Sequence, residues 1–427
     1  MMASYSLSRR QLARLFTLGG SAALFGHPAL RTLSVAWAAP PVPPRSAADW
    51  DEIRARFSIP DELTVMNAAN LCPAPRHVLR TVHEYTERLD SEPVPTFRSE
   101  MHAAKESVRD RLARYLRVSP DEILITRNTS EANNWVSSGL DLEPGDEVLV
   151  FADNHPSNHQ AWRAKGERFG YQVRELPVHN PHPGREHYVD AFRRAVTPRT
   201  RVLGFSHLTN TAGDLFPARE LCHLAQDLGV LTLVDGAQTL GLLDLNLSDL
   251  SPDFFTGSAH KWPCGPKETG LLYVNRCVQD RFWPSIYSAY AGATGLSRTH
   301  EGMGQRDEPA IHAFGTQIDF LTGIGQGAIE SRSRELTDAL VEGLASIDGV
   351  RLWCSPDPQL RAAVVSFDPA GLDPGRVLQT LESDGIVAAA RPGRDRPGIR
   401  FAPHFYNSFQ DIDRAVDAIH RYVRTGL

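Results

Sequence analysis

The chain has 427 residues, of which 41% are hydrophobic and 22% are charged, and its formal net charge is −6 at pH 7. This length predicts one large and one small domain, and the acidic balance argues against nucleic acid or an anionic membrane as a partner. The five cysteines show no spacing typical of metal ligands, so the sequence predicts no metal site.

Residues 1–38 have the features of a twin-arginine signal peptide. The pair Arg9 and Arg10 precedes an apolar run at 15–24, which is too short and too glycine-rich for a membrane span, and residues 36–38 resemble a cleavage site. Its removal would change the net charge from −6 to −10, because four arginines and no acid are lost. We therefore expect a periplasmic protein that leaves the cytoplasm folded through the twin-arginine translocon and has no membrane span in its mature chain.

The rest of the chain alternates between strands and helices. A proline-rich linker and an N-terminal segment that should pack on the small domain occupy 39–62, a large domain is predicted over 63–325, and a linking helix with a small C-terminal α/β domain over 326–427. The strands of the large domain are expected at 123–125, 147–151, 202–205, 229–234, 254–256 and 271–274, and its central helices at 131–139, 157–169, 188–196 and 218–228. A long linking helix, interrupted by early glycines, is expected over 322–347, and the small domain at 362–367, 374–384, 386–390, 399–401 and 409–424.

Lys261 lies between a short apolar strand and a glycine-rich turn, so its side chain should project from a rigid edge. The chain contains only four lysines, and the rest of its lysine and arginine total is arginine. A lysine beside Ser258 and His260 therefore suggests a need for an amine that can lose its proton, which arginine cannot supply. The alternative is an ordinary surface lysine in a hairpin.

Asp235 follows the continuous apolar run 229–234, which predicts a strand buried on both faces. An acid at the carboxyl end of such a strand stands where open α/β sheets bind ligands. Lys261 and Asp235 together match the needs of pyridoxal phosphate, which forms a Schiff base with a lysine and pairs its ring nitrogen with a carboxylate. Taken alone, Asp235 could equally be a turn or helix-cap residue.

Polar residues follow three other predicted strands. Thr129 and Ser130 begin a helix, where hydroxyls and free backbone amides bind anions, although a simple helix cap has the same pattern. His155 and Asn210 follow the next two strands, and each could contact a cofactor ring or only shape its loop. Because four strands end in this way, the sequence predicts one shared site.

The order of these motifs resembles class V of the fold-type I pyridoxal-phosphate enzymes, from about residue 63 to the C-terminus. The resemblance implies an α/β fold with a mostly parallel seven-stranded sheet and a smaller C-terminal domain. It also implies that Lys261 forms the internal aldimine with pyridoxal 5'-phosphate, that Asp235 pairs with the ring nitrogen and that His155 stacks on the ring. The other cofactor contacts would be Asn210 and Gln238 near the ring hydroxyl, and Thr129, Ser130, Ser258 and His260 at the phosphate.

Two further stretches carry the resemblance. Residues 314–316 resemble the Gly-Thr segment that reaches the phosphate of the neighbouring subunit, which implies a homodimer with Thr316 in the partner's site. Residues 399–407 resemble the C-terminal signature whose arginine, here Arg400, binds the substrate carboxylate. Three arginines of the preceding loop are rivals for that role: Arg391, Arg394 and Arg396.

The family includes cysteine desulfurases, isopenicillin N epimerase-like proteins, aminotransferases and lyases. Desulfurases carry a mobile cysteine before the C-terminal arginine, and residues 388–399 hold none, which disfavours that reaction. We therefore predict an enzyme that abstracts the α-proton of an amino acid, as an epimerase or racemase, a transaminase or a β-eliminating lyase. The alternative is an exported protein that binds the cofactor without turnover.

The leader generates a direct prediction. Replacing Arg9 and Arg10 together with lysine keeps the charge and removes the twin-arginine pattern, so the precursor should stay in the cytoplasm. Fractionation and blotting of both compartments measure this, and normal export of the double variant would contradict the assignment.

Overall fold

The structure is a computed structural model that describes residues 49–289, 291–391 and 396–427. The predicted signal peptide, the proline-rich linker and Arg394 lie outside these residues.

Helices and strands alternate through most of the described chain. The helices are α1 (Asp49–Arg54), α2 (Arg76–Ser91), α3 (Pro95–Leu116), α4 (Thr129–Gly139), α5 (Pro156–Phe169), α6 (Arg185–Ala195), α7 (Ala218–Asp227), α8 (Leu247–Leu250), α9 (Ser297–His300), α10 (Glu308–Ile324), α11 (Gln326–Ala345), α12 (Pro374–Ser383) and α13 (Phe409–Thr425). The strands are β1 (Thr64–Val65), β2 (Ile123–Thr126), β3 (Glu147–Phe151), β4 (Gln172–Leu176), β5 (Thr200–Ser206), β6 (Leu231–Asp235), β7 (Phe254–Ser258), β8 (Gly270–Val274), β9 (Arg351–Leu352), β10 (Val365–Asp368), β11 (Ile386–Val387), β12 (Ala389–Arg391) and β13 (Gly398–Phe401).

The large sheet has seven strands in the order β2-β8-β7-β6-β5-β3-β4. Strands β7, β6, β5, β3 and β4 are parallel, and β8 is antiparallel to both β7 and β2. Because β2 is antiparallel to β8 and β8 is antiparallel to β7, β2 runs in the same direction as β7. The carboxyl ends of β2, β3, β5, β6 and β7 therefore meet at one edge, which is where open α/β sheets bind ligands. The mostly parallel α/β fold expected from the sequence is confirmed.

Side chains of the large sheet alternate between two cores. Along β2, Ile123 and Ile125 enter the core that also holds Phe205, whereas Leu124 enters the core on the other face. Successive residues of a strand point to opposite faces, so helices must cover both sides of the sheet. The fully buried pattern of these strands follows from this double cover.

A second, four-stranded antiparallel sheet has the order β12-β13-β10-β9, and β1 pairs with β11 in a parallel pair. Helices α11 and α13 pack on the four-stranded sheet and contribute to its apolar cluster, in which Leu340 and Ile419 are fully buried. This sheet presents β13, the strand that carries Arg400. The exact domain boundaries stay predictions.

The interruption expected early in the helical stretch 322–347 lies at Gly325, which separates α10 from α11 with a φ of +96°, a conformation that favours glycine. Strand β4 was not predicted, because it is a half-exposed edge strand with polar residues and lacks the apolar run of its neighbours.

Within the described ranges, none of the helices is long and apolar enough to cross a membrane. All five cysteines are unpaired within the chain.

Candidate active site

Lys261 follows the end of β7 in a turn that the backbone fixes on both sides. Ala259 donates its N–H to Thr269 and accepts from Gly265, at 2.9 and 2.7 Å. A Cβ at Gly265 would lie 2.8 Å from that of Ala259, so only glycine allows this close approach. The lysine is thereby presented from a rigid segment.

The amine of Lys261 is prepared to lose its proton. The residue is half-buried, and the surrounding protein desolvates its amine. Burial lowers the pKa of Lys261, while the nearby charge of Asp235 raises it and that of Arg400 lowers it. An amine that loses its proton more easily is better able to attack a carbonyl group, which is the chemistry expected of it.

Asp235 stands at the end of β6, and two donors hold its carboxylate. The N–H of Ala237 donates to Oδ1 at 3.1 Å, and the side-chain amide of Asn133 donates to Oδ2 at 3.0 Å. The side chain is buried, and its charge acts on both Lys261 and His155. The structure therefore brings the predicted acid to the predicted lysine.

Thr129 and Ser258 meet at the start of α4. The N–H of Thr129 donates to the hydroxyl oxygen of Ser258 at 2.8 Å, and the two hydroxyls are 2.8 Å apart. Asn128 caps the helix by accepting from Glu131 at 3.0 Å. The N-terminus of a helix carries a partial positive charge and free N–H groups, so this pair suits a phosphate.

Ser130 and His260 complete the set predicted for the phosphate. Ser130 is exposed in the first turn of α4, and His260 directly precedes the lysine. Burial and the charges of Lys261 and Lys267 lower the pKa of His260 to about 4, so its ring is neutral at pH 7. It could serve as a hydrogen-bond donor but not as a cation.

His155 caps α5 with its own ring. Its Nδ1 accepts the N–H of Ser157 at 3.2 Å, which fixes the plane of the imidazole. Burial lowers its pKa, Lys261 and Arg400 lower it further, and Asp235 raises it. A neutral, oriented ring close to these three groups fits the predicted stacking role, which stays a prediction.

Gln238 and Asn210 contribute differently from the expectation. The amide of Gln238 donates to the carbonyl of Ala69 at 3.0 Å and accepts the indole N–H of Trp262 at 2.7 Å. It therefore fastens residue 69 to the turn after the lysine. Asn210 uses its backbone carbonyl to hold Arg400, and the contact of either side chain with a ring hydroxyl stays a prediction.

Arg400 is held by neutral groups only. It donates from Nη1 to the carbonyl of Asn210 and from Nη2 to Oδ1 of Asn67, both at 3.0 Å, and its buried Nε has no hydrogen-bond partner. Burial and the charge of Arg391 together lower its pKa to about 10. No carboxylate among the described residues pairs with this guanidinium, which is rare for a buried arginine.

Two of the rivals of Arg400 have other bonds, and the third, Arg394, lies outside the described residues. Arg396 donates from Nη2 to both carboxylate oxygens of Asp153, at 2.8 and 2.9 Å. Arg391 donates to the carbonyl of Thr211 at 3.0 Å. Asp153 already neutralises Arg396, so Arg400 is the better candidate for an incoming carboxylate.

Thr316 belongs to α10, apart from the strand ends that carry the residues described above. It sits in the middle of α10, where its hydroxyl donates to the carbonyl of Ala313 at 2.8 Å and the adjacent Gly315 packs on Val108. The predicted role of Thr316 concerns a second subunit and stays a prediction.

Three residues of the site were not predicted. Asn133 and Thr256 lie beside Asp235, and Asn67 holds Arg400. Asn133 follows Thr129 by four residues, a spacing that places both on one face of a helix, so the sequence carried a usable signal for it.

Solved structures place this architecture in a known fold. A cystine C–S lyase, C-DES, with glycine covalently linked to its pyridoxal-phosphate cofactor, superposes with a TM-score of 0.79 at 23% identity, covering 86% of this chain and 98% of that one. The apo cysteine desulfurase of Thermococcus onnurineus gives 0.79 at 23% identity, covering 88% and 98%. The chain thus has the fold of the fold-type I pyridoxal-phosphate enzymes.

The sequence defines the family within this fold. The model of the aminotransferase class-V family matches residues 66–414, and the chain belongs to that family. It is 32% identical over 391 residues to the isopenicillin N epimerase of Streptomyces clavuligerus, covering 88% of this chain and 98% of that protein. It is 29% identical to a probable cysteine desulfurase of Methanothermobacter thermautotrophicus, covering 85% and 95%.

The protein is therefore an enzyme of this family, and its cofactor is pyridoxal 5'-phosphate (PLP). The side chains of the site fit the three functional groups of PLP. A desolvated amine at Lys261 suits the aldehyde, the carboxylate of Asp235 suits the ring nitrogen, and the start of α4 suits the phosphate. The part of the chain that the structure describes has no group of histidines, cysteines or acids that could hold a metal ion.

Behind the site, Asp214 is fully buried and neither of its carboxyl oxygens has a hydrogen-bond partner. Burial and the charge of Asp153 raise its pKa to about 7, against the opposing charges of Arg396 and Arg391. The folded chain thus keeps this proton near neutral pH, whereas an unfolded chain would lose it near the ordinary value of 3.8. Because the folded state binds more protons in this window, stability should fall as pH rises from about 4 to about 7.

Asp214→Asn should remove this pH dependence, because the amide stays neutral. Relative to the unchanged protein, the variant should gain on the order of 2 kcal/mol of unfolding free energy between pH 5 and pH 8. Urea titrations at both pH values measure this, with the exposed Asp227→Asn as the matched control. Parallel changes in the two proteins would contradict the assignment of the proton to Asp214.

Proposed function

We propose that the protein is an isopenicillin N epimerase-like enzyme that acts on an α-amino acid and moves the proton of its α-carbon. The observation that carries the proposal is Arg400, a buried guanidinium without a carboxylate partner among the described residues, close to Lys261 and Asp235. A substrate carboxylate would supply the missing charge. The two isopenicillin N epimerases at 32% identity, which the chain matches over nearly their whole length, support this class of substrate.

Arg400 retains the donors that a carboxylate needs. A guanidinium has five N–H donors, and only one from Nη1 and one from Nη2 are used by Asn210 and Asn67. These two bonds fix its plane, so the remaining donors can meet a carboxylate in two parallel hydrogen bonds. Binding of this kind would set the orientation of the α-carbon as well as its position.

Lys261 is the base of the proposed reaction. When PLP is bound, it withdraws electrons from the substrate α-carbon and so makes the α-proton acidic. The amine of Lys261, with a pKa lowered by burial, would take this proton and return it. Asp235 would keep the ring nitrogen protonated, and His155 would limit the movement of the ring from one side.

The residues between 388 and 399 bear on the choice of reaction. This segment has no cysteine that could accept sulfur, which argues against a desulfurase. Epimerisation, transamination and elimination all begin with loss of the α-proton. Exchange of the α-proton with solvent deuterium therefore tests the whole class, and chiral analysis of the products from L- and D-amino acids separates its members.

We also propose that the protein works in the periplasm as a homodimer, with Thr316 reaching the partner's phosphate site. Residues 314–316 resemble the segment that has this role in the family, and the contacts of Thr316 lie within α10. Sedimentation should therefore give twice the chain mass, and Thr316→Ala should weaken PLP binding. A monomer that holds PLP tightly on dilution would contradict this.

Arg400→Lys tests the proposed substrate contact, because it keeps the charge and loses the fork. We expect a loss of about 1.5–3 kcal/mol in substrate binding, seen as a higher KM for deuterium exchange, with the visible absorbance of bound PLP unchanged.

Two variants are the controls. Arg396→Lys, whose charge Asp153 neutralises, should leave the KM near that of the unchanged protein. Lys261→Ala should lose both exchange and the borohydride-reducible bond to PLP. Unchanged kinetics of Arg400→Ala would mean that the carboxylate binds elsewhere or that the substrate has none.

A further inference from the structure

Asn133 connects three elements beneath the proposed cofactor site. It lies on α4 and donates from its amide to Oδ2 of Asp235 at 3.0 Å, at the end of β6. The hydroxyl of Thr256, on β7, donates to its Oδ1 at 2.9 Å. The exposed fractions of Asn133, Asp235 and Thr256 are 1%, 3% and 0%, so little water competes for these bonds.

The chemistry of the three groups fixes which way the amide points. An ionised carboxylate can only accept hydrogen bonds, so the NH2 end of Asn133 must face Asp235. Its carbonyl end then faces Thr256, and that hydroxyl must donate. Asp235 and Thr256 are register partners in neighbouring parallel strands, so they point to the same face and the amide bridges them.

We propose that Asn133 is a positioning residue that holds the carboxylate of Asp235 in the plane needed to pair with the ring nitrogen of PLP, with Thr256 locking the amide. This inference rests on the proposed role of Asp235. The N–H of Ala237 fixes Oδ1, and Asn133 fixes Oδ2, so the carboxylate cannot rotate without losing a hydrogen bond.

The same helix also carries the proposed phosphate contact. Thr129 bonds to Ser258, and Asn133, one turn later, bonds to Thr256 on the same strand. Four residues advance a helix by about 6 Å, so α4 and β7 are joined at two points separated by that length. The two ends of the cofactor site would then be spaced by one rigid helix–strand pair.

A purely structural role for Asn133 has different consequences. If the amide only fastened α4 to the sheet, its loss would weaken the fold and would affect every ligand of the site equally. If it positions Asp235, its loss would affect only ligands that present a ring nitrogen to that carboxylate. The choice of ligand therefore separates the two roles.

The experiment measures the affinity of the apoprotein for PLP and for an analogue in which carbon replaces the ring nitrogen. Asn133→Leu should bind PLP about tenfold more weakly than the unchanged protein, equal to about 1.4 kcal/mol. Its affinity for the analogue should stay that of the unchanged protein. Asn134→Leu, at the exposed neighbouring position of α4, is the matched control and should bind both ligands normally. An equal loss for both ligands with Asn133→Leu, or no loss for either, would overturn the proposal.

Two further variants make the result decisive. Thr256→Val conserves volume and removes the donor that locks the amide, so it should show a smaller loss that is again selective for PLP. If Asn133→Leu does not fold, Thr256→Val still tests the proposal, and an equal effect on both ligands would overturn it.

Asp235→Asn tests the underlying role: if it weakens both ligands equally, the proposed role of Asp235 fails and the inference fails with it. If Asp235→Asn is selective and Asn133→Leu is not, only the inference fails.

Discussion

The electrostatic balance around Lys261 is the constraint on which the rest of the site depends. A buried amine keeps a usable proton affinity only if a nearby negative charge offsets the cost of desolvation. Asp235 raises its pKa and Arg400 lowers it, and each comes from a different sheet. The fold must therefore bring together the end of β6, the turn after β7 and the strand β13.

The segment after β1 joins these parts. Met66 and Ala68 exchange hydrogen bonds with Ala402 at 2.7 and 3.0 Å, next to Arg400. Ala69 accepts from Gln238, and Cys72 donates its N–H to the carbonyl of His260 at 2.9 Å. The segment 66–72 thus links the small sheet to the lysine turn, and the hydrogen bond from Gln238 holds this segment in place.

Sequence patterns predicted what local rules determine. The apolar run before Asp235 predicted a buried strand, and the alternation of strands and helices predicted the shared edge of the sheet. The glycines early in 322–347 predicted an interrupted helix, but only the positive φ of Gly325 in the fold shows where α10 ends. The proton on Asp214 and the bridge through Asn133 were out of reach, because burial and partners far along the chain create both.

The antiparallel strand β8 has a consequence for the order in which the chain can become competent. Strand β2 reaches its place only by pairing with β8, about 150 residues later in the sequence. Arg400 arrives later still, within the last thirty residues. A nascent chain that has completed Lys261 and Asp235 therefore still lacks a closed phosphate end and its guanidinium. A chain that ends before β13 would thus carry Lys261 and Asp235, the groups proposed for PLP, without Arg400, so cofactor binding and substrate recognition are completed by different stretches of the sequence.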